Sequence, residues 1–254
     1  MYFDSHAHIN DRRFDDDRTE LINSLFENEI YAFTEIGYDI ESSQRAIELA
    51  NEYERIYAAV GVHPADVDKL DDKGLSQIEN MLSDNKVVAL GEIGLDYHFD
   101  DNPERDVQKK WFEAQIDVAK RNNMPIVVHS RDAMEDTINI LKASGHYDGI
   151  IHCYSGSKES AKILLDMGFY ISISGPVTFK NAGKLVEVAK YIPDDRILIE
   201  TDCPYLAPEP YRGKRNCPLY VKNVCEKIAE FREIPTEKLA EITKNNAKAV
   251  YKIK

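Results

Sequence analysis

Two histidines one residue apart, His6 and His8 in YFDSHAHIN (2–10), end the first apolar run of the chain. Alternate side chains of a strand share a face, so His6 and His8, with Asp4 behind them, stand in one row that can form half of a metal site. The same placement recurs. His63 ends AAVGVHP, His129 follows PIVV, and His152 follows GII, so five of the seven histidines lie at or near the ends of apolar runs. Glu92, after VVALG, and Asp202, after ILIET, occupy equivalent places. Imidazole and carboxylate are good ligands for zinc, manganese and similar cations. One catalytic zinc needs only three protein ligands and a water. The four histidines His6, His8, His129 and His152 with two carboxylates exceed that, which points to two divalent cations (Zn, Mg or Mn) sharing a bridging carboxylate. His98 and His146 fall in predicted loops or turns, outside the pattern.

Such residues meet only if the chain carries them to one rim. Eight short apolar, β-branched runs recur: YFDSHAHI, AFTEIGY, IYAAVGVHP, VVALGEIGLDY, IVVHSR, GIIHCYSG, YISISG and ILIETDCPY. Charged segments with helical spacing separate them, including 41–52, 105–122, 157–166, 181–190 and 218–233. Alternating strand and helix is the signature of parallel βαβ units. Eight units in 254 residues predict an α/β fold, a (β/α)8 TIM barrel, in which strand C-terminal ends converge on one active face. IPTEKLAEITKNNAKAVYK adds a C-terminal helix. An open doubly wound sheet is the rival, but no G-x-G-x-x-G follows the first strand. One domain over residues 1–254 is expected, with a long loop at 204–218.

Composition limits the partners. A formal charge of −13 repels a polyanion at long range and argues against a general nucleic-acid coat, while leaving room for a local basic patch. Cys153, Cys203, Cys217 and Cys225 show no paired-ligand spacing and read as reduced thiols. No membrane span is expected, nor an obligate protein partner. The start of the sequence carries no basic segment followed by an apolar one, so a cytoplasmic location is expected.

Taken in order, FDSHAHIN, GVHP, GEIGLDY, PIVVHSRDA, HCYSGS and IETDCPYLAP resemble the TatD family of metal-dependent hydrolases, from residue 3 to about 247. That family lies in the amidohydrolase-like barrel superfamily and is usually described as deoxyribonucleases. The resemblance implies that His6, His8 and Asp202 hold one metal, that His129 and His152 hold a second, and that Glu92 bridges. The carbamylated lysine of many superfamily members has no counterpart, since Lys86 lies at the opposite end of its strand. His63 is similar to the family histidine near the metals, and is expected to contact phosphate or assist proton transfer. Arg131, two residues after His129, shares its face and suits a phosphate oxygen. Arg212, Lys214 and Arg215 resemble the family's RGKRN segment and would form a basic grip beside Asp202. Asp96 reads as a turn or cap residue, and Glu200 as a partner of a ligand histidine. Tyr154 stands where the family pattern has phenylalanine and Cys217 where it has glutamate.

The expected activity is two-metal water activation on phosphodiester bonds, as a deoxyribonuclease and exonuclease on single-stranded DNA or DNA ends. Asp202 would take the water's proton and pass it to the leaving oxygen. Strand-end ligands serve amide, ester or lactone hydrolysis, or deacylation of charged tRNA, equally well. A non-enzymatic scaffold would be expected to lack a ligand, and none is missing.

Overall fold

The structure, a computed structural model, describes residues 1–253. Eight strands form its centre: β1 (Tyr2–Ala7), β2 (Ile30–Ile36), β3 (Ile56–Val60), β4 (Val87–Asp96), β5 (Ile126–Arg131), β6 (Gly149–Ile151), β7 (Tyr170–Ile173) and β8 (Ile197–Ile199). Every neighbouring pair is parallel and the spatial order is the sequence order. A parallel bridge between Ala7 and Cys203 brings the segment after β8 back to β1, so the sheet curls into a nearly closed barrel. Parallel strands need crossovers, and these are helices: α1 (Arg18–Glu27), α2 (Ile40–Glu52), α3 (Asp72–Met81), α4 (Arg105–Arg121), α5 (Met134–Ser144), α6 (Lys158–Met167), α7 (Gly183–Tyr191) and α8 (Val221–Arg232). An additional helix, α9 (Thr236–Val250), follows.

The strongly patterned helices lie where the sequence puts them. Their starts are set locally: Asp39 and Ser42 form a capping box on α2, and Ser157 and Ser160 do so on α6. The helices that the spacing leaves unmarked are α1, α3 and α5. Of its own residues α1 buries only Ile22 and Leu25, and α3 only Gly74 and Ile78, so their apolar stripes are thin. No side-chain cap marks the start of α1 or α5.

Two apolar layers hold the barrel. The larger lies between strands and helices; the smaller fills the lower interior with Phe3, Ala32, Ala59, Ala89, Val127, Ile150 and Leu198. Burying a Phe or Leu side chain contributes roughly 1.5–3 kcal/mol each. The end of α9 plugs this floor. Tyr251, just past the helix, stacks on Phe3 at 6.3 Å and donates its hydroxyl to Ser5 O at 2.7 Å. With the floor filled, the open end is the one carrying the strand C-termini. Among the described residues all four cysteines are free, and no helix is long and apolar enough to cross a membrane.

Candidate metal centre

The C-terminal strand ends bring the histidines and carboxylates together. β1 delivers His6 and, one residue beyond its end, His8; their Nε2 atoms are 3.0 Å apart. Asp4 leaves the row. The β1–β2 register is irregular between Asp4 and Ala7, and Asp4 accepts from Thr201 N at 2.9 Å and from Thr201 Oγ1 at 2.5 Å. β4 supplies Glu92, β5 supplies His129, and His152 and Asp202 follow β6 and β8. Asp202 sits in the left-handed region (φ 55°), which aspartate tolerates better than most residues. Its backbone is fixed there by donation from Asp202 N to His6 O at 3.0 Å.

Glu92 lies at the middle, buried, and its two oxygens face different sets. Oε2 is 3.4 Å from His6 Nε2 and 3.7 Å from His8 Nε2. Oε1 is 2.7 Å from His152 Nε2 and 3.0 Å from His129 Nδ1. Asp202 Oδ1 completes the first set at 3.7 Å from His6 Nε2 and 3.5 Å from His8 Nε2. His63 Nε2 stands 3.6 Å from Glu92 Oε1. The rings of His6 and His152 stack at 4.0 Å between centroids.

The opposite ring nitrogens fix the tautomers. A carbonyl only accepts, so His8 donates Nδ1–H to Ile36 O (3.1 Å), and it is Nε2 that turns inward, bare when the ring is neutral. His129 meets the Asp96 carboxylate through Nε2 at 3.1 Å, leaving Nδ1 toward Glu92. Asp96 also accepts His98 N at 2.9 Å, so it caps the turn and holds a site histidine with its two oxygens. Glu200 Oε1 lies 3.5 Å from His152 Nδ1 and accepts Cys153 N at 2.7 Å. Lys86 is far from this rim and donates to the carbonyls of Tyr53, Glu54 and Ile56.

The electrostatics follow from crowding. Burial opposes a charged Glu92, yet His152 and His63 and the hydrogen bonds from His129 and His152 hold its carboxyl well below the usual range. Burial likewise opposes a charged His8, while Asp202 and Glu92 lift it to about 9. Burial pushes His63 down to about 3. The carboxylates therefore call for positive charge among them, which protons or metal cations supply. Within 4.8 Å of one another lie the donor atoms of His6, His8 and Glu92, and those of Glu92, His129 and His152.

A cavity of about 860 Å³ opens over this cluster. His8, His63, Glu92, His129, Arg131, His152 and Asp202 all line it. The basic loop does not, contrary to the expectation for Arg212, Lys214 and Arg215. Arg215 turns away, bonding Asp17 at 2.9 and 2.5 Å and packing over Phe14 at 4.5 Å. Arg212 lies over Phe179 at 4.3 Å, and Lys214 is exposed outside the lining. Arg12 takes their place: it lines the mouth, is exposed, and forms no ion pair among the described residues. Its signal was the basic pair in DRRF, directly after the H-x-H strand. Phe99, Tyr205 and Leu206 also line the cavity, and no spacing rule marks them. Neither Tyr154 nor Cys217 intrudes on the cluster: Tyr154 is buried with its hydroxyl on Ser157 O at 2.6 Å, and Cys217 is buried.

A family model described as "TatD related DNase" matches residues 3–252. The chain belongs to the TatD family. It is 48% identical over 255 residues to YabD of Bacillus subtilis, an uncharacterized metal-dependent hydrolase, with all of both chains covered. It is 41% identical over 209 residues to YcfH of Escherichia coli, likewise described, covering 81% of this chain and 77% of YcfH. The crystal structure of YjjV, a TatD homologue from Escherichia coli, superposes with a TM-score of 0.94 at 29% identity, covering 100% of this chain and 98% of that one. This TatD-family chain is thus a metal-dependent hydrolase, and the cluster around Glu92 is its candidate metal centre.

Proposed function

We propose that this TatD-family hydrolase cleaves phosphodiester bonds in DNA, on single strands or at ends, using two divalent cations held on either side of Glu92. One observation carries the reading: the two oxygens of a single buried carboxylate serve two separate histidine pairs. His6, His8 and Asp202 would hold one cation, His129 and His152 the other, with Glu92 shared. The residues fit such ions. His8 Nε2 points inward and lies only 3.0 Å from His6 Nε2, a contact that a proton or cation between them must relieve. Imidazole with carboxylate suits Zn and Mn, and carboxylate suits Mg.

When bound, the cations supply Lewis acidity, making a water acidic near neutral pH and polarising a phosphoryl oxygen. Asp202 accepts the water's proton on its carboxylate and delivers it to the leaving oxygen. His63 takes a hydrogen bond from Ala65 N on Nδ1 (3.1 Å), so its proton is on Nε2, facing the cavity, where it can donate to a phosphate oxygen. Arg131 and Arg12, both exposed and unpaired among the described residues, offer planar forks to phosphates at the mouth. Arg212 and Lys214 can act only on strand lying beyond the cavity.

The test is product analysis on end-labelled single-stranded DNA with Mg²⁺, Mn²⁺ or Zn²⁺, beside RNA and a panel of esters and lactones. Wild type is expected to shorten DNA, and Glu92→Gln and Asp202→Asn to lose turnover by orders of magnitude. Near-normal turnover in both variants, or ester hydrolysis without DNA cleavage, would overturn the proposal.

A further inference from the structure

We propose that Phe99 and Tyr205 are base-stacking residues that make this site select nucleic acid with unpaired bases, an inference resting on the phosphodiesterase reading above. Five large hydrophobic side chains are exposed among the described residues, and three of them, Phe99 (50%), Tyr205 (48%) and Leu206 (40%), line the single cavity that holds Glu92. Isolated exposed hydrophobics are ordinary surface. Their gathering at one mouth marks an occupant that buries them.

Position and charge identify that occupant. Phe99 follows β4 and Tyr205 follows β8, strands four places apart in an eight-stranded barrel and hence on opposite walls. Each ring carries an arginine: Arg131, unpaired among the described residues, lies 4.8 Å from the Phe99 centroid, and Arg13, also held by Asp11 at 2.9 Å, lies 4.2 Å from that of Tyr205. Cations over rings recur across this chain, but Arg131 beside Phe99 and Arg13 beside Tyr205 both line the cavity that holds Glu92. An apolar acyl group would use the rings and have no use for the arginines. A nucleobase next to its phosphate uses both.

The mount is firm. Tyr205 N donates to Asp202 O at 3.0 Å, and Tyr205 O accepts from Asn216 Nδ2 at 2.7 Å. At Gly175 a Cβ would fall 1.9 Å from Leu206 O, so the loop lies against bare backbone. Bases within a duplex have both faces covered by neighbours, whereas a free strand or frayed end offers them.

The experiment compares kcat/KM, with Mn²⁺, on an oligothymidine strand and on the same phosphodiester backbone with tetrahydrofuran replacing every nucleoside. Wild type is expected to favour the intact strand by tenfold or more. Phe99→Leu and Tyr205→Leu, which keep apolar bulk but lose the ring, should each shrink that preference by about tenfold, equivalent to about 1.4 kcal/mol, chiefly through KM. Phe99→Trp and Tyr205→Trp should restore it. Equal use of both strands by wild type overturns the platform and leaves the phosphodiesterase reading standing. So does a pair of Leu variants that keep the wild-type preference or lose both substrates equally. Failure of wild type to cleave either strand removes the phosphodiesterase reading, and the platform with it.

Discussion

Asp96 Oδ2 meets His129 Nε2 at 3.1 Å, and this contact decides which nitrogen of His129 faces Glu92. With both nitrogens protonated the ring donates to both carboxylates; a neutral imidazole carries one proton, and holding it toward Asp96 would free Nδ1, 3.0 Å from Glu92 Oε1, for a cation. In Asp96→Asn the amide can donate to Nε2 and reverse that tautomer. The variant is expected to bind one of its cations about 10–100-fold more weakly while keeping the other. Titration against a competing chelator reads this directly, and undiminished affinity for both ions would refute it.

His63 gives a pH signature in the metal-free protein. Its folded value, driven to about 3 by burial, lies below the 6.5 of an ordinary histidine. Between those values the unfolded chain binds a proton that the folded chain refuses, so His63 lowers stability as pH falls from 6.5 toward 3. His63→Asn keeps an acceptor for Ala65 N and does not titrate. Below pH 6.5 its urea-unfolding curve should lose up to about 1.4 kcal/mol of dependence per pH unit relative to wild type. Parallel curves would remove the argument. His8, whose folded value is raised to about 9, contributes its pH dependence above 6.5, outside this window.

The arginines separate by salt dependence. Arg12 and Arg131 face the cavity unpaired, whereas Arg215 is committed to Asp17. Arg12→Ala and Arg131→Ala should each flatten the slope of log affinity for single-stranded DNA against log salt by about 0.7. Arg215→Ala should leave the slope unchanged and lower thermal stability slightly. Fluorescence anisotropy at several salt concentrations measures the slopes; a loss in Arg215→Ala equal to the others would restore the basic loop to the mouth.

Gly94 lets β4 and β5 touch. Its φ is 144°, and an added Cβ would fall 2.0 Å from His129 O. Gly94→Ala must push away the strand that carries His129. The expected cost is roughly 3 kcal/mol or more, seen as a melting point lower by at least about 6 °C, together with weaker metal retention. A melting point within a degree of wild type would contradict the close approach.

The barrel was readable because a βα alternation leaves eight apolar runs, and side chains at their ends share a rim whatever the loops do. His6, His8, Glu92, His129, His152 and Asp202 needed no more than that. Asp96 needed more: its cap on His98 is local, but its hold on His129 depends on the β4–β5 register, which pairs Gly94 with His129. The RGKR segment misled because a loop without periodicity does not fix side-chain direction. Arg215 found a carboxylate on Asp17, nearly 200 positions away. Phe99 and Tyr205 were invisible for the same reason, since an aromatic in a loop shows its exposure only once the chain is folded.

Tyr251 reaches Ser5 across 246 positions, and Asp202 meets the first strand from almost as far. The candidate metal centre and the floor beneath it therefore both join the first strand to residues 202–251. Truncation before α9 would strip Phe3 and Ser5 of their cover, so such a chain is expected to lose the floor beneath His6 and His8.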